Sequence, residues 1–110
     1  MGKHEDHVYI GHILESIEKT EKYLDGYSFE QFENDDRTID AIVRNFEIIG
    51  EASNNISSAF KELHPEVDFR SATSMRNRLA HGYDDIDLKT VWDAVMQDFP
   101  ALKKSIKDIA

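Results

Sequence analysis

The 110-residue chain has no cysteine. Disulfides and thiolate metal sites are therefore excluded, and the composition is compatible with a reducing compartment. Long hydrophobic runs are missing too, since nothing approaches the ~20 apolar residues that a membrane span needs. The N-terminal "MGKHEDHVYIGH" is too polar for a signal peptide, so a cytoplasmic protein without membrane attachment is expected. Positive charge is scarce. Thirteen Lys and Arg stand against 22 Asp and Glu, a formal net charge of −9. This argues against a broad basic face for non-specific nucleic-acid binding. Any RNA site must be a local cluster working against the overall field, and the acidity also fits a partner with a basic surface. No segment alternates apolar and polar residues as a strand would, and there is no repeat, linker or low-complexity stretch. The length suits one compact domain spanning residues 1–110.

What is present is helical periodicity. Ile10, Ile13, Leu14, Ile17 and Leu24 predict a first helix over roughly residues 5 to 25, broken at Gly26. Ser28 followed by Gln31 has the form of a capping box, which predicts one short helical turn in "SFEQFEND". A long helix is expected from about Thr38 to His64. Its stripe is Ile39, Ile42, Val43, Phe46, Ile49, Ala52, Ile56, Phe60 and Leu63, and Pro65 stops it. Gly50 inside that helix costs about 1 kcal/mol against alanine, which points to a closely approaching helix backbone. "EVDFRSATSMRNRLAHG" reads as a turn leading into a shorter helix ending near Gly82. Leu88, Val91, Trp92, Val95, Phe99, Leu102, Ile106 and Ile109 mark a last helix, with Asp87 as N-cap and a kink expected at Pro100. The fold class expected is all-α: an antiparallel bundle of helices of unequal length.

The few cations are not evenly spread. "MRNRLAHGYDDID", residues 75–87, gathers two arginines, an asparagine, a histidine and a tyrosine, followed by three aspartates. If residues 74–82 are helical, Met75 and Leu79 face the core, and Asn77 and His81 share another face one turn apart. Arg76 then lies about 140° around the axis from His81, with a side chain long enough to reach the same rim. His81 at the helix C-terminus would be favoured in its protonated form by the helix dipole. Such groups suit metal-free cleavage of an RNA phosphodiester. Histidine has the pKa for the proton transfers, and arginine has the fork and permanent charge for the phosphoryl oxygens. Asn77 could orient the imidazole or the phosphate. From spacing alone, a surface arginine and a helix-terminal histidine account for the motif better, because short motifs match often by chance.

"MRNRLAHGYDDIDLKTVWDAV", with "AIVRNFEIIGEASNNIS" upstream, strongly resembles the HepT-like toxins of the HEPN superfamily. That family's signature is R-x4-H-x-Y, met here by Arg76, His81 and Tyr83. The upstream pattern appears as Arg44, Asn45, Glu47, Ile49, Gly50, Glu51 and Ala52. The resemblance covers nearly the whole chain. It implies a four-to-five-helix HEPN bundle that homodimerises, with the R-x4-H pairs of both subunits facing one composite cleft. The implied activity is metal-independent endoribonuclease action, needing no cofactor, as the toxin of a toxin–antitoxin pair. The implied antitoxin is a minimal nucleotidyltransferase that attaches AMP to the motif tyrosine, here Tyr83. Arg76 and His81 inherit the catalytic roles by position, and Asn77 a supporting one. The chain departs from the family pattern at Asp84 and Asp85, where an aromatic and a glycine are common, and at Ser74, where glycine is common. The two carboxylates would repel phosphate. As residue types they fit a turn and cap cluster better than a catalytic role.

Two metal readings and one alternative function remain on the residues alone. His4, His7 and His12, with Glu5 and Asp6, could hold a divalent ion, but no fourth ligand is defined and a solvated helix start is the simpler account. "HGYDDID" could form a His/Asp site, although a turn tends to splay such side chains. His64 before Pro65 reads as the last turn of the long helix. The alternative function, of another class, is a non-catalytic helical partner that binds and positions a nucleotidyltransferase. Arg76 and His81 favour the enzyme; Asp84 and Asp85 favour the binding module.

Overall fold

The computed structural model describes residues 3–75 and 87–109. Within them the architecture is all-helical, and no strand occurs among the described residues. The chain runs α1 (Lys3–Tyr23), α2 (Phe29–Glu33), α3 (Asp36–Asn55), α4 (Ser58–Leu63), α5 (Phe69–Thr73) and α6 (Leu88–Asp93). A π-helical segment (Ala94–Asp98) then leads into α7 (Phe99–Ile109).

α1 and α3 form the longest packed pair, with α5 against α3 and α7 against α1. The stripes expected from periodicity supply the core. Ile13 and Ile17 of α1, Ile42, Phe46 and Ile49 of α3, and Phe99 and Ile106 of α7 are fully buried. Phe46 and Phe99 stack with ring centroids 5.2 Å apart, joining α3 to α7. Burying each such side chain contributes roughly 1.5–3 kcal/mol. Gly50 is buried within α3. At the rim, Lys103 of α7 donates to Glu21 of α1 at 2.8 Å.

The short elements follow from their caps. Gly26 has φ +79°, a left-handed conformation that ends α1 without Cβ strain. Ser28 and Gln31 form the reciprocal capping box of α2. Asp35 caps α3 by accepting from the Thr38 backbone and hydroxyl, and it also accepts from the Tyr27 hydroxyl at 2.6 Å. The Tyr27 hydroxyl first, then Thr38, hold the Asp35 carboxyl below the usual aspartate range.

The helix expected over 38–64 is two helices. Ile56 is extended at φ −69°, ψ 137°, and separates α3 from α4. The reason lies in α1. The buried Asp6 carboxylate accepts from the Ser57 backbone N–H at 2.8 Å and from the Ser57 hydroxyl at 2.7 Å. In a continuous helix that N–H would bond to the carbonyl of Ser53; Asp6 takes it instead. Ser57 then caps α4 by accepting from Phe60 N–H. The break turns Leu63 out of the core stripe to 68% exposure. α4 does end before Pro65, with His64 as its C-cap.

Pro100 does not break the last helix. The helical path continues through 88–109, but one turn widens, and Phe99 N–H reaches back to the carbonyl of Ala94. A proline ring clashes with the carbonyl four residues before it and offers no N–H, and a π turn relieves both problems.

Asp6→Ala should lower stability by about 1.5–3 kcal/mol, the scale of hydrogen bonds to a charged group. Combining it with Ser57→Ala in a double-mutant cycle should give less than the sum, because both remove the bond between the Ser57 hydroxyl and the Asp6 carboxylate, while only Asp6→Ala loses the Ser57 N–H bond and only Ser57→Ala loses the α4 cap. Additive losses in urea unfolding would show that the two residues are not coupled.

Candidate functional site

Arg76, Asn77, His81 and Tyr83 lie outside the described residues, as do Gly82, Asp84 and Asp85. What the structure provides is the two ends from which their segment is held. On the N-terminal side, Asp68 caps α5 by accepting from Ser71 N–H at 2.9 Å. Phe69 and Ala72 bury one face of the helix, and the Phe69 ring packs across that of Phe60 at 6.2 Å. α5 closes at Ser74, whose N–H bonds to the Arg70 carbonyl and whose hydroxyl donates to Ser71. Met75 follows, fully buried. The core-facing role expected of Met75 is therefore met, and the segment leaves directly from the core.

On the C-terminal side, Asp87 is the N-cap of α6, as expected. Its carboxylate accepts from the N–H groups of Lys89 and Thr90 and from the Thr90 hydroxyl at 2.8 Å. The Thr90 hydroxyl, then the Thr90 N–H, hold the carboxyl below the ordinary aspartate range. Val91 is buried one turn on. Trp92 packs between Phe29 and Phe32 of α2 at 5.9 and 5.7 Å, and Lys89 stands 5.2 Å from the Phe29 ring centre. The described chain thus stops at the buried Met75 and resumes at the exposed cap Asp87, one turn before the buried Val91.

Around α5 the surface divides by charge. A groove of about 200 Å³ is lined by the carboxylates of Glu66, Asp68 and Asp98, with Met75. A second groove, of about 390 Å³, is lined by Lys61, Phe69, Arg70, Thr73 and Ser74. Lys61 and Arg70 were not singled out by motif. They are separated in sequence by the α4–α5 turn, and no spacing rule links them.

The histidine-rich start of α1 does not assemble a metal site among the described residues. The His7 ring packs edge-on to Phe60 at 6.0 Å, whereas His12 packs against Tyr9 at 6.1 Å, so the two imidazoles serve different neighbours. Asp6 is committed to Ser57. His7 instead lines a cleft of about 520 Å³ together with His64, whose ring lies 4.6 Å from that of Phe60. No described helix is long and apolar enough to cross a membrane.

A protein-family model described as "Ribonuclease HepT-like" matches residues 13–109. A protein of Thermococcus cleftensis named "Probable ribonuclease HepT" is 43% identical over 95 residues, covering 86% of each chain. A protein of Caldanaerobacter subterraneus subsp. tengcongensis named "Putative RNase TTE0752" is 36% identical over 101 residues, covering 92% of this chain and 90% of its own. No solved structure matches the chain at a significant level.

The Asp87 cap should titrate. Its carboxyl has a lower pKa folded than unfolded, so its stabilisation is present above the unfolded value and is lost as the pH falls below about 4. Asp87→Asn should therefore show a shallower loss of stability between neutral pH and pH ~3 than the parent, measured by denaturant unfolding at each pH. Parallel pH profiles would mean that the carboxylate makes no cap in solution.

Proposed function

Because the chain belongs to the ribonuclease HepT-like family, we propose that it is a metal-independent endoribonuclease that works as a homodimer. The observation that carries the reading is the R-x4-H-x-Y arrangement of Arg76, His81 and Tyr83, lying inside the matched region 13–109. The firmly held ends of that segment, at Met75 and Asp87, support it as a place where side-chain positions matter.

In the proposed reaction, His81 of one subunit accepts the proton of a ribose 2′-hydroxyl. The freed oxygen attacks the adjacent phosphorus. The 5′-oxygen of the next nucleotide leaves and takes a proton from His81 of the other subunit, so one imidazole gains the proton that the other gives up. Arg76 stabilises the charge that builds on the phosphoryl oxygens of the pentacoordinate state. Asn77 orients the imidazole or the phosphate. The products are a 2′,3′-cyclic phosphate and a 5′-hydroxyl. Because the nucleophile belongs to the substrate, no metal-bound water is required.

Tyr83 is not needed for either proton transfer, and we assign it to control. A minimal nucleotidyltransferase antitoxin would move AMP from ATP to the Tyr83 hydroxyl, releasing pyrophosphate. The added phosphate would compete for Arg76 and repel the RNA backbone, by the charge logic of regulatory phosphorylation. A second reading, a non-catalytic partner of the nucleotidyltransferase, is favoured by one observation: Asp84 and Asp85 follow Tyr83 in a chain of net charge −9.

RNA cleavage should persist in EDTA and leave 2′,3′-cyclic phosphate ends. Arg76→Ala and His81→Ala should each lower kcat by about 10²-fold or more. His81→Ala cutting as fast as the parent would rule out the assignment, and a requirement for added Mg²⁺ would rule out the metal-free route. A strict monomer in sedimentation at micromolar concentration would remove the composite site.

Co-expression with the cognate nucleotidyltransferase should add AMP mass at Tyr83. Tyr83→Phe should keep activity and escape silencing. Silencing of Tyr83→Phe would favour the binding-partner reading.

A further inference from the structure

We propose that the groove of Lys61 and Arg70 is a docking site for a phosphodiester of the RNA strand, outside the reacting centre; the inference rests on the ribonuclease reading above. Charge is the first support. In a chain with a formal charge of −9, this groove has two cations and no carboxylate among the described residues that line it. The groove across α5 has the opposite character, with Glu66, Asp68 and Asp98 on its walls. A polyanion passing α5 is therefore drawn to one side and repelled from the other.

The cations are also available and held in place. Lys19, Lys89 and Lys103 each pair with a carboxylate, at 3.0, 3.3 and 2.8 Å. Neither Lys61 nor Arg70 enters an ion pair among the described residues. Each follows a buried aromatic residue, Phe60 of α4 and Phe69 of α5, and these two rings pack against each other, so both residues are set on the wall of one groove. A guanidinium fork and an ammonium point charge both suit phosphate oxygens, and the Thr73 hydroxyl is a neutral donor of the kind that supplements them.

Chemistry also sets what the site does not read. Phe69, the aromatic residue of the groove, is only 4% exposed and offers no face for base stacking. The site therefore grips the backbone and ignores base identity. Its place in the chain fits such a role, because Ser74 on its wall stands two positions before Arg76. A strand gripped here is bound by residues that stand close in sequence to the motif and are not part of it, which makes Lys61 and Arg70 positioning residues.

The test uses the full-length chain and a single-stranded RNA oligonucleotide with 2′-O-methyl riboses, which cannot be cleaved. Binding is followed by fluorescence anisotropy over a series of NaCl concentrations, alongside cleavage kinetics on unmodified RNA of the same sequence. Lys61→Ala and Arg70→Ala should each weaken binding by roughly 3- to 10-fold, equally for unrelated sequences, as expected for a lost phosphate contact. The slope of log affinity against log salt should shrink by about 0.7 for each lost contact. KM should rise with kcat nearly unchanged. Arg70→Lys should retain most of the affinity. Both side chains reach solvent, so unfolding midpoints should match the parent.

Unchanged affinity and salt slope, with cleavage still abolished by His81→Ala, would overturn the docking site and leave the ribonuclease intact. A parent that binds RNA through these residues but never cuts it would keep the site and overturn the ribonuclease reading. A parent that does not bind RNA overturns both. If the variants bind RNA normally but fail to bind the nucleotidyltransferase, the groove is a protein-docking surface and the proposal is wrong.

Discussion

The buried carboxylate of Asp6 is the constraint on which the rest of this arrangement depends. It reaches from the first turns of α1 to Ser57, 51 residues away, and takes both the backbone N–H and the hydroxyl. A carboxylate at 3% exposure is tolerated only if its oxygens find donors, and Ser57 supplies two. Satisfying Asp6 means giving up helix at Ile56. That break redirects the chain so that α4 sets Phe60 against Phe69 of α5. α5 in turn delivers Met75 to the core at the threshold of the Arg76–His81 segment. One hydrogen-bonded pair thus links the N-terminal helix to the origin of the proposed site.

The far end of the segment is secured by a different device. Asp87 satisfies the open N–H groups of α6, and the aromatic set of Phe29, Phe32 and Trp92 locks α6 onto α2. Met75 is buried on one side of the motif segment, and Asp87 caps α6 on the other.

Charge organisation solves a problem set by composition. An acidic protein that handles RNA must offer the strand a path through an unfavourable overall field. The groove beside α5 offers two of the chain's 13 cations, with no carboxylate among the described residues that line it. The contrast between its two sides gives direction to an approaching polyanion. A uniformly basic surface would bind RNA in many registers and blur the position of the scissile phosphate. Family membership supplies the reaction class; the proposed role of the groove is to present the strand.

Much of this was legible in the residues. The stripes of α1, α3 and the last helix, the capping box at Ser28, the stop before Pro65 and the caps at Ser28 and Asp87 follow from side-chain periodicity and local hydrogen bonding, which act within a turn or two of helix. The Arg76, His81 and Tyr83 motif was also legible, because a motif is a local pattern; these residues lie outside the described part of the chain. The division of the long helix at Ile56 was hidden, because residues 38–64 are helical by every local criterion and the competing acceptor, Asp6, sits on another helix. The π turn before Pro100 was seen only as a kink, since the choice between bending and widening is made by the core contacts of Val95 and Phe99. Lys61 and Arg70 carried no signal at all. Local sequence determined which segments are helical and where the R-x4-H-x-Y motif stands; tertiary structure alone decided where one helix becomes two and which distant charges share a groove, because both depend on groups that meet only when the chain has folded.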